Sequence, residues 1–160
     1  MNKDILNLLE SDAHLSAKEI AVMLGLEEAD VAAEIAEMEK ENIICGYKAV
    51  VNWEKTERQL VEALIELRVV PKPDFGFDEI AKKIMDFPEV TDVSLMSGGF
   101  DLAITVTGKS FQEIAYFVAG KISILESVVS TATHFVLKKY KNNNVIFEGE
   151  SSDERRELGL

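Results

Sequence analysis

The sequence predicts an α+β chain of two modules, an N-terminal three-helix helix-turn-helix joined to a ferredoxin-like βαββαβ domain. Three features point there. Residues 15–44 carry apolar residues at helical spacing on either side of Gly25. Residues 43–52 switch to β-branched and aromatic composition. Beyond residue 60, strand-like and helix-like periods follow one another in the order β-α-β-β-α-β, the split βαβ arrangement.

The elements follow in order. Asn2 to Glu10, with Ile5, Leu6 and Leu9 on one side, reads as a first helix. Leu15 and Ile20 flank Ser16 and Glu19 as a hydrophobic staple flanks a capping box, so a second helix starts at Ala17 with Ile20, Met23 and Leu24 inward. Gly25 stops it, because glycine enters the left-handed backbone region with least strain. Leu26 leads into a third helix whose Val31, Ile35 and Met38 recur at helical spacing, and Asn42 supplies the next left-handed cap. Such a trio presents its last helix to the major groove in small DNA-binding modules. A plain helical corner used for packing is the other reading of the same pattern.

Ile43 to Asn52 reads as a strand or connecting ribbon, and Trp53 to Gln59 as a charged linker. From Leu60 to Val70 the chain alternates, with Val61, Ala63, Ile65, Leu67 and Val69 on one face. Pro71 and Pro73 end that strand, and Phe77, Ile80, Ala81, Ile84 and Met85 trace a helix up to Pro88. Val90 to Met96 and Asp101 to Thr107 are two strands joined through Ser97, Gly98, Gly99 and Phe100. Ser110 and Glu113 form another capping box, opening a helix that buries Phe111, Ile114, Ala115, Val118 and Ile122. Val128 to Tyr140 is the last strand, residues 142–144 a turn and Val145 to Phe147 a short edge strand. The resulting boundaries are 1–44 for the helix-turn-helix, 45–59 for the connecting strand and linker, 60–148 for the ferredoxin-like domain and 149–160 for a mobile charged tail. Two helices cover one sheet face. Leu60, Leu64 and Met96 lie on the other, so that face is expected to pack on a second copy.

Composition narrows function. No run of about 18 uncharged apolar residues exists, and the first residues lack the apolar core of a secretory signal, so a cytoplasmic protein with no membrane association is expected. Cys45 is the chain's one cysteine and reads as a small buried residue, while His14 and His134 are dispersed, so neither a metal site nor a cofactor is expected. No acid, base and orienting residue can be assembled, which argues against an enzyme. The net charge is −12, and residues 1–44 hold three lysines (Lys3, Lys18, Lys40) against eleven carboxylates, a net of −8. The helix Glu28 to Glu41 exposes Glu28, Ala32, Ala33, Glu34 and Glu37, with Lys40 its one cation. Phosphate contacts normally come from Lys and Arg, so this charge opposes DNA binding, although helix amides and neutral side chains also hold phosphate.

The helix-turn-helix, the segment GYKAVVN and the stretch FPEVTDVSLMSGGFDLAITV together resemble the Lrp/AsnC family of bacterial and archaeal feast/famine regulators over roughly residues 1–140. The most specific parts are Ile44-Cys45-Gly46-Tyr47, Pro88-Glu89-Val90 and Gly98-Gly99-Phe100-Asp101, the last similar to the family's Gly-x-Tyr-Asp turn with Phe at the aromatic position. The resemblance implies a transcription regulator that binds double-stranded DNA through the N-terminal module, and a RAM-type second domain that pairs into homodimers, often assembled into octamers. It also implies an amino acid or related small effector near the hairpin between the second and third strands. Carried over by position, Ser97, Gly98, Gly99, Phe100 and Asp101 are effector-binding candidates, with Thr131 and Thr133 on the last strand. Glycine amides approach a carboxylate closely and Asp101 can accept from an ammonium; a hairpin in which Gly relieves strain and Asp101 caps the turn is the structural alternative.

The DNA-binding candidates are Ser16, Glu28, Ala29, Ala32 and Ala33. Relatives usually carry Ser, Thr, Arg or Lys where this chain has Glu28, Asp30, Ala32, Ala33, Glu34 and Glu37. The competing reading is therefore an effector-sensing or partner subunit whose acidic helix-turn-helix contacts protein and no longer binds DNA.

Overall fold

The computed structural model describes residues 2–58, 60–73 and 76–147. The expected tail at 149–160 lies outside the described residues. The chain divides into two compact units, Met1–Val50 and Val51–Leu160.

The first unit is three helices: α1 (Lys3–Ser11), α2 (Ala17–Leu24) and α3 (Glu28–Lys40). Asn2 caps α1 by accepting from the Asp4 amide. Gly25 closes α2 with φ +66°, and Asn42 follows α3 with φ +56°, as their residue types require. Ile5, Leu9, Ile20, Ala21, Val31 and Met38 form the core, and Leu15, Leu24, Ile35 and Ile44 pack around it. One expectation fails here. Met23 is 58% exposed, and the inward face of α2 is Ile20 with Ala21, because the helix is only eight residues long and presents its Ile20 side to the neighbouring helices.

Residues 45–52 form no strand or helix, so the expected strand or ribbon is an irregular connection, and Asn52 caps a short 3-10 turn at Trp53–Lys55. Cys45 is exposed, which corrects the buried reading: its thiol donates to the Asn42 carbonyl at 3.1 Å, on the surface of the turn after α3.

The second unit has β1 (Val61–Val69), α4 (Asp78–Met85), β2 (Val90–Leu95), β3 (Leu102–Gly108), α5 (Phe111–Phe117) and β4 (Val128–Phe135), with a small hairpin of β5 (Lys141–Asn142) and β6 (Val145–Ile146). The four-stranded sheet is antiparallel in the order β2-β3-β1-β4. Alternation in β1 buries Ala63, Ile65, Leu67 and Val69 against the helix layer, where Ile80, Ile84, Ile114, Phe117 and Ile122 meet Leu102, Ile104 and Val106 of β3. Each fully buried Ile or Leu contributes on the order of 1.5–3 kcal/mol, so these inward faces hold the unit together.

Three local differences stand out. Ile114, Val118 and Ile122 are buried as expected, but the inward stripe of α5 is Ile114, Phe117 and Val118, spaced i, i+3 and i+4, which leaves Phe111 and Ala115 exposed. The last strand stops at Phe135, opposite Ala63 and short of the expected Tyr140, and beyond it only the Val136 amide continues toward β1, donating to the Glu62 carbonyl. Val145–Ile146 pairs with Lys141–Asn142 instead of the main sheet, across a turn in which Asn143 and Asn144 take positive φ.

The open sheet face carries Leu64, 40% exposed, between Thr105 on β3 and His134 on β4. His134 Nε2 lies 3.4 Å from Glu66 Oε1, and Lys139 holds Glu62 at 2.7 Å.

Candidate functional site

In the first unit the candidate interface is built by the α2 cap and the outer side of α3. Ser16 Oγ donates to Glu19 Oε2 at 2.6 Å and accepts from the Glu19 amide at 3.3 Å, while the Ser16 amide donates to the same carboxylate at 2.8 Å. This reciprocal box satisfies amides at the start of α2. The Ser16 hydroxyl, and then its amide, hold the Glu19 carboxyl below the usual carboxylate range. Ser16 therefore spends its one hydroxyl proton inside the box, and any phosphate contact there falls to backbone amides or requires the box to open.

Glu28, Ala29, Ala32 and Ala33 are all exposed on α3, whereas Glu34 is half-buried rather than fully exposed. The surface they form is small-residue and acidic, with Glu28 and Asp30 in the first turn, where they suit the helix dipole, and Lys40 in the last. Sequence reasoning did not foresee the fastening at the end of α3. Tyr47, from the Ile44-Cys45-Gly46-Tyr47 segment, donates its phenol to Glu39 Oε1 at 2.8 Å. Desolvation first, and Glu39 second, push that phenol above its usual range. The aromatic position in that segment was the available signal.

In the second unit the hairpin between β2 and β3 places Ser97, Gly98 and Gly99 in solvent, with Phe100 and Asp101 half-buried. Gly98 has φ +146°, open to glycine alone at little cost, and nothing lies within 4 Å of a side chain built at Gly98 or Gly99. The backbone of the loop is therefore open to a small molecule. Asp101 is anchored: its amide donates to the Leu67 carbonyl at 2.9 Å, its carbonyl accepts from the Met96 amide at 2.8 Å, and Oδ2 accepts from the Val69 amide at 2.9 Å. One carboxylate oxygen thus ties the hairpin to β1, and the other has no hydrogen-bond partner among the described residues.

Thr131 and Thr133 are half-buried on β4, opposite Leu67 and Ile65, with β1 between them and the hairpin strand. Two strand spacings, roughly 9–10 Å, separate them from β3, so a single chain does not bring all seven effector candidates around one point. Among the described residues no group of three His, Cys, Asp or Glu side chains gathers to hold a metal, and no helix is long and apolar enough to cross a membrane.

Comparison with known proteins agrees with both units. The Lrp/AsnC ligand binding domain family matches residues 62–146, and a winged helix-turn-helix DNA-binding family matches residues 2–44. YugG of Bacillus subtilis, an uncharacterized HTH-type transcriptional regulator, is 42% identical over 153 residues, covering 95% of this chain and 92% of that protein. The HTH-type regulator PF1231 of Pyrococcus furiosus, also uncharacterized, is 32% identical over 133 residues, covering 83% of this chain and 87% of its own. Among solved structures, a Neisseria meningitidis regulator, NMB0573, in complex with L-Met is similar with TM-score 0.71 at 21% identity, covering 89% of this chain and 93% of that one. Escherichia coli AsnC is similar with TM-score 0.65 at 22% identity, covering 86% and 90%. The structural likenesses establish the fold, and the sequence matches go further: this chain belongs to the Lrp/AsnC family of HTH-type transcriptional regulators.

Proposed function

We propose that the chain binds double-stranded DNA through the helix-turn-helix and adjusts that binding to an amino acid or related small effector held by the second unit. The observation that supports this best is the conjunction in one chain of a correctly capped helix-turn-helix and an open, glycine-built hairpin on a ferredoxin-like domain. In this reading Glu28, Ala29, Ala32 and Ala33 face the groove, with Ser16 at the α2 start beside phosphate. Alanines permit close approach, and the amides at helix starts supply donors that the acidic side chains do not.

The effector lies against Ser97, Gly98, Gly99, Phe100 and Asp101. Thr131 and Thr133 contribute from a neighbouring copy, because within one chain β1 intervenes. That assignment needs an oligomer. Pairing of the open sheet faces into a homodimer covers Leu64, and dimers assemble further, up to an octamer, to bring hairpins and β4 edges together. The working compartment is the cytoplasm.

A mobility-shift assay on the protein's own upstream DNA at low salt, with and without a panel of amino acids, tests the proposal. A shift that weakens as salt rises and changes with one amino acid is expected. No shift at micromolar protein under any of these conditions would overturn it and favour an acidic module that contacts protein.

A further inference from the structure

At the end of the sheet away from the Ser97–Asp101 hairpin, the connector, the entry to β2, the exit of β3 and the start of α5 surround an open cleft of about 650 Å³. That volume falls in the range of small-molecule sites, roughly 300–1,000 Å³. Leu60 and Pro88 give it an apolar wall.

Its charges are unevenly spent. Glu89 on the lining is bonded to Lys121 at 2.6 Å, which holds its carboxyl below the usual range, and Glu113 accepts from the Lys109 amide. Lys109 makes no side-chain ion pair among the described residues, and the contact of the Arg58 guanidinium is with the Trp53 ring, 4.5 Å from its centroid. Arg58 and Lys109 share the lining with Glu57, Glu89 and Glu113, so the cleft sets both signs of charge beside its apolar wall, and among the described residues neither cation is held in an ion pair.

We propose that this cleft is a second ligand site, which takes a small metabolite with a carboxylate on an apolar body. Arg58 and Lys109 bind the carboxylate by charge-assisted hydrogen bonds, and Leu60 and Pro88 cover the body. Arg58 belongs to the connector that leads from residue 50 into β1, so an occupied cleft fastens the connector to the end of the sheet. The site is separate from the hairpin, and its occupancy does not depend on whether the hairpin binds an effector.

Trp53 is the chain's one tryptophan and lies under Arg58, so it reports on the cleft. Full-length protein is titrated into the millimolar range with L-methionine, with the matching 2-oxo acid and with L-methioninamide, following Trp53 emission and the heat of binding. A saturable response to an acid and none to the amide is expected, and Lys109→Met, which alters a solvent-facing side chain, weakens it at least about tenfold, as loss of a charge-assisted hydrogen bond does. A response to both acids, or to the 2-oxo acid alone, identifies an organic acid; a response confined to L-methionine identifies an amino acid with Glu57 beside its ammonium. Absence of both emission change and heat overturns the proposal, and so does an amide that binds as well as the acids. So does a response that survives Lys109→Met in a protein of unchanged circular dichroism but disappears with Ser97→Ala, which would trace it to the hairpin.

Discussion

Adding positive charge to the outer side of α3 tests whether that helix faces phosphate. Ala32 and Ala33 are both exposed, and lysines there fit the helix: Lys at 32 falls four residues after Glu28, and Lys at 33 lies three after Asp30 and four before Glu37. Such pairs are worth about 0.2–0.5 kcal/mol each, which offsets the lower helix propensity of Lys relative to Ala. The fold should therefore be unchanged. Each new phosphate contact steepens the slope of log affinity against log salt by about 0.9, and at physiological salt the counterions released raise affinity roughly fivefold. For the double variant Ala32→Lys/Ala33→Lys the expected outcome is a slope steeper by about 1.8 and a gain of about 30-fold. Fluorescence anisotropy with the upstream duplex from 50 to 200 mM salt, in the window where such slopes are commonly read, measures both. An unchanged slope, with helix content intact by circular dichroism, would refute the placement of the Ala32–Ala33 side of α3 against the duplex.

Three further outcomes follow from the packing and hydrogen bonds. Ser16→Ala removes the capping hydroxyl and should cost about 1 kcal/mol in urea unfolding at neutral pH. Because Ser16 depresses the Glu19 carboxyl in the folded state, that group's contribution is present above the ordinary carboxylate range and is lost as pH falls through the lowered value, so the penalty should shrink in acid. Asp101→Ala strands the amide of buried Val69 and should cost about 1–3 kcal/mol in the same assay, whereas Ser97→Ala on the exposed loop should cost almost nothing. Leu64→Lys places a charge at the centre of the open sheet face, and if that face pairs with a second copy, sedimentation velocity should show a smaller species than wild type; an unchanged mass would refute pairing through this face.

The parts legible in the sequence are those decided by near neighbours. The Ser16 box, the left-handed caps at Gly25 and Asn42 and the alternation of Val61 to Val69 depend on residues within one turn or one strand, and each stands where it was expected. What the sequence hid depends on distant partners. The end of β4 at Phe135, opposite Ala63, the inward turn of Phe117 in place of Ala115, and the place of Cys45 on the surface after α3 are all set by tertiary packing that no local period signals. At the candidate sites the loop glycines could be found by residue type, but not the second duty of Asp101, whose bond to Val69 spans 32 positions, nor the cleft, which gathers four separate segments.

The Asp101 tether has a mechanical consequence. It clamps the loop to one tip of β1, a nine-residue rod roughly 30 Å long whose opposite tip abuts Leu60 and the cleft. Hydrogen-bonded on both flanks, that rod is stiff along its length, so a sub-ångström displacement imposed at one end is transmitted to the other with little loss. The hairpin and the proposed cleft thereby sit at opposite ends of a single spar, and if both hold ligands, loosening it at the Val69 joint is the simplest way to make each deaf to the other.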